Sequence, residues 1–227
     1  MRVAPLGMRR ETNLRVCRLL ETALADESSP DGPSREPIAS RSERLPPGQV
    51  LTAKWPVLTY GEIPRIEKRD WRFRLSGLLS QERELTWEEF MALPKVERVT
   101  DIHCVTRWSR FDNRWEGVAA SEIVRLANPS PAARFVMVHG YGGYTTNLPL
   151  TALLQDDVLF AFAHDGAPLQ PEHGGPLRLV VPSLYFWKSA KWAHGLEFME
   201  RDRAGLWERN GYHMHGDPWR QERHSGW

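Results

Sequence analysis

The chain has 227 residues, a one-domain length, and its 30 Lys+Arg against 29 Asp+Glu leave a formal net charge of +1, which excludes the global basic field that grips a nucleic-acid backbone. Hydrophobic residues make up 41%, enough for a packed core, and no run approaches the roughly 18 apolar residues of a membrane span. Two cysteines, Cys17 and Cys104, exclude a four-cysteine zinc site and an ordinary iron–sulfur cluster, and no Cys-x-x-Cys-His attaches haem, so any redox chemistry uses another cofactor.

Every aromatic residue and every histidine lies after residue 54. Residues 1–48 are rich in Pro, Ser and charge and bury too little apolar area to offset the entropy of ordering them, so they read as a flexible extension before a domain at 49–227. Within the extension, Val16, Leu19, Leu20 and Leu24 could line one face of a short helix over 14–25. The pair Arg9-Arg10 raises an export signal, but the residues that follow are too polar for its apolar stretch, so a cytoplasmic location is expected.

In the domain, Trp71, Phe73 and Leu75 alternate with arginines as in a half-buried strand. Thr86 and Glu89 form a capping box that opens a short helix through Leu93, stopped by Pro94. Residues 99–103 read as a strand delivering Cys104 to a loop, and 119–127 as a helix ending at Asn128-Pro129. Runs at 134–138, 158–163 and 177–181 are apolar and β-branched or aromatic, as buried strands are. Asp165-Gly166 and His173-Gly-Gly-Pro176 mark turns. The alternation is too irregular for a doubly wound sheet, so the fold class is α+β.

Four segments could carry chemistry. Cys104 sits among polar and cationic residues, with His103, Arg107 and Arg110 close in sequence. A buried structural thiol is one reading, and a thiolate ligand or nucleophile the other. From Glu172 to Glu197 no acidic residue intervenes, yet Arg178, Lys188 and Lys191 fall there among Val, Leu, Tyr, Phe and Trp. Cations in apolar surroundings call for an anion, and a phosphate suits them; the alternative is that their stems carry the charges to water. Ser189 and backbone N–H groups would complete such a cradle. Residues 139–150 offer glycines with Thr145, Thr146 and Asn147 as hydroxyl and amide partners, or else simply connect two strands. Near the C-terminus, His213, His215 and Asp217 could bind a second metal or satisfy local hydrogen bonds. No Walker A loop, Gly-x-Ser-x-Gly elbow or His-Glu-x-x-His is present.

Taken in order, WPVLTYG, HCVTRWSRFDNRWEGV, GYTTNLPL, HGGPLRLVVPSLYFWKSAKW and GLWERNGYHMHGDPW resemble the sulfite oxidase family of molybdopterin enzymes, in particular its small stand-alone bacterial members, over about Leu45 to Arg223. The resemblance implies a mixed-sheet α+β fold holding one molybdenum on one molybdopterin. It makes Cys104 the metal ligand and places phosphate and pterin contacts at His173, Arg178, Ser189, Ala190 and Lys191, with one from Thr145 or Thr146. Lys188 joins them as a cation for the phosphate. Leu58, Thr59 and Tyr60 would touch the other side of the pterin, while Thr106 and Trp108 shape the pocket behind the metal. The implied reaction is two-electron oxygen-atom transfer on a small oxyanion or sulfoxide-type substrate, whose oxygen would meet Arg107, Arg110 or Arg114. A soft thiolate suits a metal already held by dithiolene sulfurs.

The chain is too short for the haem and immunoglobulin-like domains of animal-type relatives, so a monomer with a separate electron carrier is expected. The periplasmic methionine sulfoxide reductase relatives carry Asn where this chain has His173, so fold and cofactor leave the substrate open. Two other functions fit parts of the pattern: a Cys-His hydrolase or transferase built on Cys104, and a pterin-binding module without turnover.

Overall fold

The computed structural model describes residues 42–225; the helix expected over 14–25 and the Arg9-Arg10 pair lie outside the described residues. Arg44 donates two hydrogen bonds to Asp101, at 2.7 and 2.9 Å, and reaches Asp112 at 2.6 Å. Arg44, in the stretch read as an extension, is therefore tied to two residues of the domain.

Strands dominate. One sheet has five strands in the order β3 (Arg83–Thr86), β2 (Arg72–Gly77), β11 (Ala193–Met199), β6 (Phe135–Gly140) and β7 (Tyr144–Pro149). The other has six: β1 (Val50–Leu51), β5 (Trp108–Ala119), β8 (Leu159–His164) and β10 (Arg178–Val180), with β4 (Val96–His103) paired to β5 and β9 (Ala167–Pro168) to β8. β1 runs parallel to β5, and β2 runs parallel to β11. The remaining strand pairs are antiparallel. The architecture is α+β with mixed sheets.

Local chemistry accounts for the elements. In β2 the alternation of Phe73 and Leu75 with arginines puts both apolar side chains at 0% exposure. Helix α1 (Trp87–Met91) opens on the expected capping box: Glu89 N–H donates to the Thr86 hydroxyl and Thr86 N–H to the Glu89 carboxylate. Helix α2 (Ala120–Ala127) ends on Asn128 in the left-handed conformation that a short amide side chain tolerates. Two one-turn helices, α3 (Leu150–Leu153) and α4 (Leu206–Arg209), complete the set. No helix among the described residues is long and apolar enough to cross a membrane.

The apolar interior has two parts. The larger fills the space between the sheets and under α1 and α2, with Phe73, Phe90, Ile123, Val138, Phe160 and Phe198 among its members. The smaller holds Ile102, Cys104, Trp108, Trp115, Tyr185 and Trp187, with Trp55, Leu58 and Phe186 packed against it. The second cluster is unusual in containing both a thiol and the aromatic lining of a cationic pocket.

Candidate active site

Cys104 lies in the turn between β4 and β5. Its N–H donates to Trp108 O at 2.8 Å, and Arg107 N–H returns to Cys104 O at 3.1 Å. Arg107 adopts φ 74°, a conformation costing a side-chain-bearing residue on the order of 1 kcal/mol or more and found at functional turns. Three contacts hold the turn: Gln49 Nε2 donates to Cys104 O at 3.0 Å, the Arg223 guanidinium donates to Val105 O, and Val50 N–H donates to Arg107 O. Cys104 is buried, with Sγ 3.1 Å from the Thr106 hydroxyl. Burial pushes its thiol up, opposed by the Thr106 hydrogen bond and the Arg223 charge. On these residues alone the sulfur stays protonated at neutral pH. A soft metal ion displaces such a proton.

Beyond the turn lie two cations with no carboxylate within salt-bridge distance, Arg178 buried and Lys191 half-buried. Arg178, 1% exposed, donates to carbonyls only: His173 O at 2.7 Å, Ser189 O at 3.0 Å and Leu179 O at 3.4 Å. Its guanidinium carbon sits 4.1 Å from the Phe186 ring centre, with Trp55 and Trp115 at 5.5 and 5.8 Å. Burial pushes it down to about 9. Lys191 donates to Leu58 O at 2.9 Å and Glu172 O at 2.5 Å, and burial followed by the Arg178 charge brings it down to about 7. No carboxylate pairs with either among the described residues.

His173, also held down to about 4 by burial and then by Arg178 and Lys191, is neutral and stacked on Trp55 at 3.9 Å. Its buried Nδ1 and the Thr145 hydroxyl have no hydrogen-bond partner. Two cations and an imidazole nitrogen thus lie together without a carboxylate partner, and the Thr145 hydroxyl is a further unpartnered buried group. A phosphate-bearing, hydrogen-bonding group satisfies all four. Gly174, at φ 103°, lies between the cations: a Cβ there would meet Lys191 and Arg178 at 3.0–3.1 Å. A 510 Å³ cavity opens nearby among Tyr60, Tyr144, Trp192 and Leu206. The larger cavity, 840 Å³ and lined by Ile63, Trp87 and Phe162, contains neither Cys104 nor either cation.

The family model described as an oxidoreductase molybdopterin binding domain matches residues 60–207. The chain belongs to this molybdopterin-binding oxidoreductase family. Among relatives of the molybdopterin-binding oxidoreductase, the uncharacterized oxidoreductase YuiH of Bacillus subtilis is 48% identical over 186 residues, covering 82% of this chain and 94% of that one. The catalytic subunit MsrP of the protein-methionine-sulfoxide reductase of Campylobacter jejuni is 26% identical, covering 62% and 52%. The sulfane dehydrogenase SoxCD of Paracoccus pantotrophus superposes with a TM-score of 0.59 at 19% identity, over 83% of this chain and 59% of that one. The fold is of sulfite oxidase type.

Several residues singled out by sequence have other partners in this molybdopterin-binding oxidoreductase. Lys188 is the main correction. Its ammonium is fully buried and donates to Glu208 Oε1 at 2.6 Å, to Asn147 Oδ1 and O at 2.9 and 3.0 Å, and to Met214 O at 2.6 Å. Four acceptors use up its donors, so it is not an unpaired cation awaiting a phosphate. Glu208 Oε1 also accepts from Thr146 and from Trp187 Nε1, both at 2.9 Å. Thr146 is therefore committed, and Thr145 keeps the open hydroxyl. Replacing Glu208 with Gln should cost about 3–5 kcal/mol of stability by leaving Lys188 uncompensated, read as the urea midpoint of the apoprotein.

Arg110 is tied to Asp165 at 2.8 Å and His164 at 2.9 Å, and Arg114 faces Glu97 at 3.6 Å. Arg107 is exposed and makes no ion pair among the described residues. Trp108 is buried behind Cys104, its indole N–H without a partner. Ser189 and Ala190 are buried beside Arg178, the Ser189 hydroxyl accepting from Val181 N–H at 2.9 Å. Leu58 reaches the pocket through its carbonyl, whereas Thr59 and Tyr60 are exposed, Tyr60 against Trp207. His213 and His215 share Glu222, at 3.4 and 2.8 Å, and no metal-binding group of three such side chains forms among the described residues. Sequence reasoning missed Trp55, Trp115, His164 and Phe186, which wall the cationic pocket.

Proposed function

We propose that the protein is a molybdenum enzyme performing two-electron oxygen-atom transfer on a small oxyanion or sulfoxide-type substrate, with one molybdopterin-bound metal per chain. The observation that carries this reading is a pair of cations with no carboxylate within salt-bridge distance, Arg178 fully buried and Lys191 half-buried, the first set over Trp55 and Phe186, which pack against the cluster that holds Cys104. When bound, the cofactor supplies the metal that cycles between oxidation levels two electrons apart; the protein supplies binding and electrostatics. Cys104 serves as the metal's thiolate ligand, and the Thr106 hydroxyl donates to that sulfur. Arg178 and Lys191 neutralise the phosphate, with Thr145, His173, Ser189 and Ala190 as further contacts. Leu58, Thr59 and Tyr60 cover the opposite side. Trp108 excludes water behind the sulfur, and Arg107 binds the substrate's oxygen.

The overall conversion is X + H2O to XO with release of two protons and two electrons, or its reverse, the electrons exchanging with a separate carrier. Of the similar proteins, MsrP is named for methionine sulfoxide reduction, which favours a sulfoxide among the candidates.

The test is protein purified from a host that makes the cofactor, assayed for molybdenum and pterin. It is then given methionine sulfoxide with reduced viologen, and sulfite with ferricyanide. About one metal and one pterin per chain, with turnover of one probe, is expected. Activity that survives without molybdenum and dies on thiol alkylation points to the Cys-His hydrolase instead. Bound pterin without redox change points to the non-catalytic module.

A further inference from the structure

A cradle whose Arg178 is 1% exposed, with its donors turned to protein carbonyls, admits a ligand only if part of the chain moves aside. Residues 55–66 are the stretch best able to move. Among the described residues they make no backbone–backbone hydrogen bond, and none of them is buried. A segment held so lightly opens at far less cost than the paired strands around it. Its apolar side chains are poorly covered: Val57, Tyr60 and Ile63 are 48, 52 and 42% exposed. Residues 60–65 line the 510 Å³ cavity together with Tyr141, Tyr144, Trp192 and Leu206, so this part of the segment borders a void rather than packed core. Most of what holds the segment down belongs to the cradle. Lys191 donates to Leu58 O at 2.9 Å, and Trp55 stacks on His173 at 3.9 Å with the Arg178 guanidinium 5.5 Å from its ring centre. Further along, Tyr60 meets Trp207 edge-on at 5.6 Å. Gly61, at φ 78°, is exposed, and a Cβ there would meet nothing within 4 Å.

We propose that residues 55–66 are a strap that opens to admit the pterin cofactor and closes over it, latched by Lys191 through Leu58 O and by Trp55 against His173. This rests on the molybdopterin cofactor of the function proposed above. The coupling comes from shared groups: Lys191, His173 and Arg178 hold the strap and also face the ligand. A ligand that orders them favours the closed strap, and by linkage the closed strap holds the ligand more tightly. In the empty protein the Lys191 ammonium meets two carbonyls and no anion. Opening gives up one carbonyl and lets water reach the charge, which lowers the cost of keeping it buried. With a phosphate in place the ammonium has its counter-charge, and that advantage of opening is gone. Gly61 is the hinge, because its left-handed conformation is open to glycine without strain and is required only while the strap is closed.

The experiment is limited trypsin digestion, read by mass spectrometry, of full-length protein made with and without the cofactor. Lys54 and Arg65, both exposed, place one cleavable bond at the start of the strap and one near its end. Cleavage of a native protein tracks the population of its open form, so both bonds should be cut roughly tenfold or more faster in the empty protein than in the loaded one. Equal rates in the two preparations overturn the strap while leaving the cofactor in place. A second variant, Gly61→Ala, adds backbone strain to the closed strap and no new contact. The loaded variant should release its pterin about fivefold faster than wild type, while the thermal midpoint of the empty protein stays unchanged. Release at the wild-type rate, or a lowered midpoint of the empty variant, counts against a hinge at Gly61 and overturns the proposal. Should no pterin or molybdenum load from a host that makes the cofactor, the cofactor reading falls first. The empty protein then decides the strap by itself: ready cleavage after Lys54 and Arg65 supports a segment that opens, and resistance at both bonds overturns it.

Discussion

Replacing Cys104 with serine is expected to leave a folded protein that still takes up the pterin but turns over at about a thousandth of the wild-type rate or less, ~4 kcal/mol of lost transition-state stabilisation. The exchange alters one atom in a buried turn whose hydrogen bonds run through backbone groups: Cys104 N–H to Trp108 O, and Gln49 Nε2 and Arg107 N–H to Cys104 O. None of these depends on the sulfur, whose one side-chain contact, with the Thr106 hydroxyl, a serine hydroxyl can also make. The phosphate cradle around Arg178 and Lys191 belongs to a different stretch of chain, so the organic part of the cofactor keeps its anchors. The metal loses a soft, polarizable thiolate and is offered an alcohol that holds its proton far more tightly. Molybdenum and pterin analysis beside steady-state rates with methionine sulfoxide checks this; turnover near wild type with the metal bound contradicts the role given to Cys104.

What the sequence disclosed depended on whether the decisive partner was near in the chain. The capping box of α1 is complete within Thr86–Glu89, and its hydrogen bonds form as drawn. Cys104 stood out because a lone thiol followed an apolar strand and preceded arginines. Arg178 and Lys191 stood out as cations in an apolar run; Arg178 is buried, Lys191 half-buried, and both donate to backbone carbonyls rather than to carboxylates. Lys188 carries the same local signal and means something else, because Glu208, twenty residues further on, is folded against it. Composition of a stretch reveals that a cation needs an anion, never which anion arrives.

Two long strands were hidden for different reasons. In β5, Arg110, Asp112, Asn113 and Arg114 break the expected alternation. Asn113 is nonetheless fully buried, its amide satisfied by Thr100 O at 3.1 Å and Arg110 O at 2.8 Å. In β11, Gly195 looks like a breaker, yet it permits the close parallel approach to β2: a Cβ there would stand 2.8 Å from Arg74 O. The aromatic wall of the pocket was illegible for a third reason. Trp55, Trp115 and Phe186 have the chemistry of core residues, and only the placement of Arg178 over their rings turns them into a site.

Lys191→Met should separate the energetic cost of the cradle from its use. In the apoprotein the Lys191 ammonium is held down to about 7 by burial and the Arg178 charge, whereas in the unfolded chain it titrates near 10.4. Between those limits the unfolded state binds a proton that the native state lacks, so stability rises with pH from about 7 to about 10. The rise attributable to this one group is on the order of 4 kcal/mol. Below pH 7 the native lysine is charged and the full cost is present. Methionine matches the stem, and the two carbonyls it abandons, Leu58 O and Glu172 O, belong to partly exposed residues that water can reach. The variant should therefore be more stable than wild type at pH 6.5, and the difference should shrink as pH approaches 10. Urea unfolding of both apoproteins at pH 6.5, 8 and 9.5 measures it, and parallel curves would contradict the unpaired state of Lys191. Added inorganic phosphate should stabilise wild type more at pH 7.5 than at pH 9.5, because the anion draws a proton onto the lysine and the phosphate is already largely dianionic across that range. The same addition should do little for the variant, and purified variant should carry several-fold less pterin. A site that is unstable alone and relieved by its ligand explains why Arg178 is buried and Lys191 half-buried with no carboxylate within salt-bridge distance: a protein anion paired there would remove the cost and, with it, most of the affinity for the phosphate.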